Sequence, residues 1–199
     1  MIPFATTKHL TLRAVRDSDK DAVFSLMNDQ RVAFGNNEGW HVPVSDMMWE
    51  AAKPQLLQSQ LLLAVVEIKR EFVGGLNLHL AQPKDRDTDL GISLAFAWWG
   101  KGLGTELLQW ALEHNFTQLN MHRMSLGVFG DNERAIELYK YLGFVEEGRV
   151  REGRCREGGA WVDFVRMGML DREWQARKDQ LGSTAQFDDV VVSTVSSFI

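Results

Sequence analysis

One cysteine, Cys155, four prolines and two tyrosines are spread over 199 residues. A single thiol excludes an internal disulfide and any multi-cysteine metal site, and it suits a reducing compartment. No apolar run exceeds six residues, the longest being Leu61 to Val66 and Leu94 to Trp99. That is far short of the ~20 a membrane-spanning helix needs. Positive charge is not in surplus: 22 Lys and Arg stand against 27 Asp and Glu, for a net charge of -5. Nucleic acid and membrane surfaces are therefore not expected partners. The start, Met1-Ile2-Pro3-Phe4, lacks a basic segment followed by an apolar one, so export is not expected and the cytoplasm is the expected compartment. No two of the five histidines form a His-x-x-x-His pair, and no metal site is expected.

What is present reads as one domain over residues 1–180, with 181–199 as a C-terminal tail. His9 to Val15 alternates apolar and polar residues like a half-buried strand. Ser18, as cap, opens a helix carrying Ala22, Val23, Leu26 and Met27. Arg31 to Trp49, rich in Gly and Asn, reads as a loop leading into a short helix over Ser45 to Lys53. Gln60 to Lys69 and Glu71 to Leu80 read as an antiparallel pair, with a bulge at Gly74-Gly75. Leu90 to Trp99, nearly continuous in apolar residues, reads as a central strand. Arg123 to Phe129 and Val162 to Leu170 are further strands. Asn132 to Leu142 is a helix closed by Gly143.

Between the central strand and the next helix lies Gly100-Lys101-Gly102-Leu103-Gly104-Thr105. Glycines at such a junction let the backbone aim unpaired N–H groups and the positive helix end at an anion, with Lys101 adding charge. Two known phosphate loops do not match. A P-loop needs Gly and Gly-Lys-Ser/Thr where this chain has Ala95 and Gly102, and a dinucleotide fingerprint needs a third Gly where it has Thr105 or Leu107. Gly-x-Gly-x-Gly remains, and it also arises for tight packing alone.

A second block follows at Asn132-x-x-Ala135-x-x-x-Tyr139-x-x-x-Gly143-Phe144. Together with Trp99-Gly100-Lys101-Gly102-Leu103-Gly104 about 25 residues upstream, it resembles the GCN5-related N-acetyltransferases (GNAT). The opening Leu10-Thr11-Leu12-Arg13 with Asp17, and the closing strand from Asp163 to Leu170, look most like the ribosomal-protein alanine and spermidine acetyltransferase branch. The match spans roughly residues 8 to 178.

The resemblance implies an α/β (α+β) fold with a mixed, mostly antiparallel sheet of about seven strands, splayed between the fourth and fifth and flanked by about four helices. It implies acetyl-CoA (CoA) as cofactor, its pyrophosphate resting on backbone N–H groups of Trp99, Gly100, Lys101, Gly102, Leu103, Gly104 and Thr105. Trp99 stands where the family usually has Gln or Arg, which moves binding towards backbone and Lys101. The backbone from Ile92 to Leu94 is expected to offer an N–H to the thioester carbonyl.

Tyr139 aligns with the family tyrosine proposed to protonate the departing thiolate, its plain alternative being a core aromatic on the helix stripe. Asn132 aligns with a position near the pantetheine arm and is also a natural helix cap. Asp89, one methylene shorter than a Glu found in relatives, and His79 are the candidates for taking the amine proton. Each has a plain alternative, a solvated turn for Asp89 and a structural strand histidine for His79. Cys155 reads as a bystander thiol.

The acceptor is expected between the segments Arg31–Lys53 and Arg149–Trp161, with Glu38 and Trp40 as substrate-binding candidates. The first segment has only Glu38, Asp46 and Glu50, few carboxylates for a polycation. The second carries Arg149, Arg151, Arg154 and Arg156 against Glu146, Glu147, Glu152 and Glu157, which leaves open a carboxylate-bearing amine or a peptide N-terminus beside the plainer reading of a solvated hairpin. Three readings follow: acetyl transfer to a small-molecule primary amine, a protein N-terminal alanine or serine acetyltransferase, and a non-catalytic acyl-CoA-binding module. The uncharged run Val190 to Val195 is expected to pair with a sheet edge, in a homodimer or within one chain.

Overall fold

A computed structural model of the chain describes residues 3–36, 45–80, 82–156 and 158–183. Eight strands form one sheet in the order β1-β2-β3-β4-β5-β6-β8-β7. They are β1 (Ala5–Thr6), β2 (Thr11–Ala14), β3 (Gln60–Ile68), β4 (Glu71–Leu80), β5 (Asp87–Leu94), β6 (Arg123–Phe129), β7 (Val145–Cys155) and β8 (Trp161–Leu170). Six helices accompany them: α1 (Lys20–Asn28), α2 (Gln30–Asn36), α3 (Asp46–Ser59), α4 (Leu103–Glu113), α5 (Glu133–Leu142) and α6 (Asp171–Ser183). This is the mixed, mostly antiparallel α/β sheet that the resemblance implies, with one more strand and two more helices.

The sequence reading changes at several places. The segment after Arg31 begins as α2 rather than a loop, and the helix expected to end near Lys53 runs on through Pro54 to Ser59. Ser45 caps that helix, its hydroxyl accepting from the Met48 N–H at 3.3 Å. Ser18 caps nothing; it lies in a 3-10 turn, and Asp19 precedes α1. The central strand stops at Leu94, and Phe96–Trp98 turn as 3-10 helix despite their apolar character. The hairpin expected as a loop from Arg149 is β7, an edge strand exposed along most of its length. The bulge falls on Val73, beside the predicted glycines, where Val66 pairs with Gly74 and Glu67 with Phe72. The tail from residue 184 onwards, with its predicted edge pairing and dimer, lies outside the described residues, as do Glu38 and Trp40.

Alternation along the strands gives the sheet two unlike faces. One carries Leu76, Leu78, Met124, Leu126 and Met167, all at most 1% exposed, against Leu107 and Leu108 of α4 and Ile136 of α5. The other carries Asn77, His79, Asp89, Ser125 and Arg166, and α1 and α2 lie against strands β4 to β6. Burial of the first face stabilises the fold at roughly 25 cal/mol per Å² of apolar surface.

The site depends on one joint. β5 and β6 are the parallel neighbours, and they pair only at Asp87–Arg123, Thr88–Met124 and Asp89–Ser125. Beyond that the strands part. The closed end is pinned by buried polar groups: the Thr88 hydroxyl donates to Asn115 Oδ1 at 2.7 Å, and the Ser125 hydroxyl to Asp87 at 2.8 Å. Asn115 follows α4 in a single π turn. β5 is held to β4 by a close approach at Gly74, where a Cβ would sit 2.1 Å from the Ser93 carbonyl oxygen.

A second buried network fixes the N-terminal part. Arg13 donates two hydrogen bonds to Asp19, each 2.7 Å, and one to Glu67 at 2.7 Å. The Arg13 guanidinium holds the Asp19 carboxyl below its usual range. A carboxyl whose pKa is lower folded than unfolded stabilises the fold above its ordinary value near 4 and loses that contribution as pH falls further. Asp19→Asn should therefore cost about 2 kcal/mol at pH 7. In thermal melts at stepped pH, the gap to wild type should narrow towards pH 3.

Candidate active site

Where β5 and β6 part, a cavity of about 440 Å³ opens. It reaches from the N-terminal end of α4 to the polar face of the sheet. Trp99, Gly104 and Leu94 border it on one side, Asn132 and Tyr139 of α5 on another, and His79, Asp89 and Arg166 on the sheet. Of the predicted residues, all three catalytic candidates and four cofactor candidates besides Tyr139 thus meet at one cavity. Gly100, Lys101, Gly102, Leu103 and Thr105 form the adjoining turn.

That turn is built to present amides. Gly100 and Gly102 both have φ of 74°, a left-handed conformation that favours glycine. Gly102 directly precedes α4, and the Glu106 N–H donates back to its carbonyl at 3.1 Å. The N–H groups of Leu103, Gly104 and Thr105 precede that bond and have no acceptor within the helix. No atom lies within 4 Å of where a Gly102 Cβ would stand, so the approach to the turn is open there. The Thr105 hydroxyl is buried without a hydrogen-bond partner. Unpaired amides, a helix N-terminus and an orphaned hydroxyl fit the pyrophosphate arm of acetyl-CoA.

Trp99 takes a different part from the Gln or Arg usual at its place. Its indole N–H donates to the Leu94 carbonyl at 2.8 Å, tying the glycine turn to the end of β5. Arg134 of α5 lies with its guanidinium 5.2 Å from the Trp99 ring centroid, and partial burial lowers its pKa. The Lys101 ammonium sits 4.4 Å from the Trp98 ring centroid. Arg134 is a site residue that the sequence reading passed over, although it lies inside the second motif.

α5 shows why Tyr139 stands where it does. Asn132 caps the helix, accepting from the Ala135 N–H at 3.3 Å, and also borders the cavity. Gly143, with φ of 103°, ends the helix. The Phe144 N–H donates back to the Tyr139 carbonyl at 2.9 Å, and the two rings meet edge to face at 5.7 Å. Burial pushes the Tyr139 phenol up to about 12.

On the sheet, His79 and Asp89 are register partners on β4 and β5. Asp89 is not the solvated turn residue of the plain reading: Arg166 Nη1 and Nη2 both donate to its Oδ2 at 3.2 Å. Arg166 pairs in register with Gly127 of β6 and reaches across that strand. A Cβ on Gly127 would lie 2.3 Å from the Phe164 ring, so glycine is required for β8 side chains to enter. The sequence reading missed Arg166, because only strand register brings it to Asp89.

The arginines of the 149–161 segment divide. Arg149 is paired with Glu146 and Asp163 on the surface. The Arg154 guanidinium lies 3.9 Å from the centroid of Phe164, a cavity residue. Arg156 donates to the Phe34 carbonyl and ion-pairs with Asp131, clamping the end of α2 to the turn before α5. Cys155 is exposed.

Comparison with known proteins agrees with this geometry. A family model described as an acetyltransferase (GNAT) domain matches residues 9–145. The chain belongs to that family, and GNAT acetyltransferases use acetyl-CoA. The spermidine N(1)-acetyltransferase of Vibrio cholerae serotype O1 is 27% identical over 170 residues, covering 85% of this chain and 98% of that protein. The L-amino acid N-acetyltransferase AaaT of Escherichia coli K12 is 33% identical over 109 residues, 52% of this chain and 64% of that one. A crystal structure of spermidine N-acetyltransferase from Vibrio cholerae with CoA and spermine superposes with a TM-score of 0.76 at 28% identity. It covers 84% of this chain and 98% of that one. Among the described residues no helix is long and apolar enough to cross a membrane.

The amide turn yields the first functional test. A carboxylate at Gly102 faces the anion directly and strains a left-handed residue. Gly102→Asp should weaken CoA and acetyl-CoA binding at least a hundredfold in calorimetric titration, with the thermal melt changed by only a few degrees.

Proposed function

We propose that the protein acetylates the primary amine of a small molecule by direct attack within a ternary complex, in the cytoplasm that its one-cysteine composition suits. The observation carrying this reading is that one cavity joins the amide turn of α4 to Tyr139, Asp89 and His79. Acetyl-CoA, when bound, supplies the thioester carbonyl and the sulfur leaving group.

The amides of Leu103, Gly104 and Thr105 hold the anionic arm, and Trp99 keeps their turn fixed against Leu94. From Leu90 to Leu94, β5 has one edge that no longer pairs with β6. Its N–H groups on that edge are the donors for the developing negative charge on the carbonyl oxygen. Tyr139 provides the proton for the sulfur. With its pKa raised to about 12 the phenol stays protonated through the whole working range. The amine must lose a proton before or during attack. Asp89, a carboxylate paired with Arg166, and His79 beside it take that proton through water. The balance is complete: one ammonium proton passes through water to the base, an N–C bond forms as a C–S bond breaks, the phenol proton goes to the sulfur, and the second proton lost from nitrogen returns to the phenol through water.

Tyr139→Phe tests the acid. kcat should fall about a hundredfold, with the dissociation constant of acetyl-CoA unchanged. Wild-type activity on an amine panel, read by mass spectrometry of the products, should show no falling limb below about pH 10 attributable to the phenol. Unchanged turnover in the variant removes Tyr139 from the chemistry.

A further inference from the structure

We infer that the acceptor amine carries a carboxylate one carbon away, the head group of an α-amino acid, with Arg166 binding the carboxylate and Asp89 facing the amine. The inference rests on the reading of the protein as a small-molecule amine acetyltransferase and names the substrate class.

Charge is the first ground. Among the described residues that border the cavity, Asp89 is the one carboxylate, against the guanidinium groups of Arg134 and Arg166. Asp89 and Arg166 are in direct contact, so an acceptor that carries both signs matches the pair, whereas a polyamine, with positive charges alone, matches only Asp89.

Geometry is the second ground. Asp89 and Arg166 stand 3.2 Å apart, and the side chain of each is 43% exposed, so the pair faces the open cavity rather than the core. Both hydrogen bonds land on the same carboxylate oxygen, Oδ2. The guanidinium fork therefore keeps donors for a second carboxylate. An α-amino acid presents its ammonium and carboxylate at a comparably short separation. Laid antiparallel on the pair, it closes a ring of alternating charges. Phe164 and Val32, also on the cavity, offer apolar surface beside that head group.

The test compares turnover of the twenty L-amino acids, their α-amides and spermidine by the purified protein, with Arg166→Gln and Arg166→Lys alongside. The amide has a less basic amine and is intrinsically the easier nucleophile near neutrality, so the bias runs against the inference. At least one amino acid should be acetylated with kcat/KM more than tenfold above its amide and above spermidine. In Arg166→Gln kcat/KM for that amino acid should fall at least tenfold further than kcat/KM for its amide, while the dissociation constant of acetyl-CoA stays within twofold. Arg166→Lys should recover part of the difference. A purely structural role for Arg166 would lower both substrates equally and overturn the inference. Preference for the amides, as a peptide N-terminus would show, or for spermidine also overturns it and leaves the amine acetyltransferase standing. Acetyl-CoA binding without turnover of any amine brings down both readings.

Discussion

Everything about this site depends on two strands that begin together and then separate. β5 and β6 share three residue pairs, and the buried hydrogen bond of Thr88 with Asn115 and the part-buried one of Ser125 with Asp87 keep that end shut. Past the joint β5 keeps its far edge on β4, in close contact at Gly74, and β6 keeps its far edge on β8 over its full length. The two edges that face each other run on without partners, and the cavity opens between them.

The two sides of the opening are fixed by different means. The glycine turn is held by backbone conformation at Gly100 and Gly102 and by the Trp99 indole on Leu94. α5 is held by its two caps, Asn132 and Gly143. The polar floor is held by ionic contacts, with Asp89 and Arg166 supplying each other's partner. Dipoles at the turn suit a bound anion without a fixed charge that must be desolvated. The floor keeps its charges in contact with water, where they can exchange partners.

Much of this was legible in the sequence, and for local reasons. A period change across three glycines locates the turn, and the Asn132 to Gly143 block locates both ends of α5. Hydrophobic alternation located β3, β4, β6 and β8 within a few residues. What stayed hidden is non-local. Arg166 meets Asp89 across 77 residues of sequence only because β8 crosses back beside β6. Periodicity also misled where composition was ambiguous. The apolar run past Leu94 looks like strand but turns as 3-10 helix, and the exposed β7 has too many charges to look like a strand at all. Edge strands commonly carry such charges, which discourage pairing with other chains.

Gly127 has a wider consequence. Because β6 carries no side chain there, the Phe164 ring of β8 sits against that strand and Arg166 of β8 reaches Asp89 beyond it, while the glycine turn lies on the β5–α4 connection. The β8 side of the cavity and the turn at its other end are thus carried by well-separated stretches of chain. On the reading proposed above, single substitutions on β8 retune which amine is accepted and leave the backbone amides of the turn untouched.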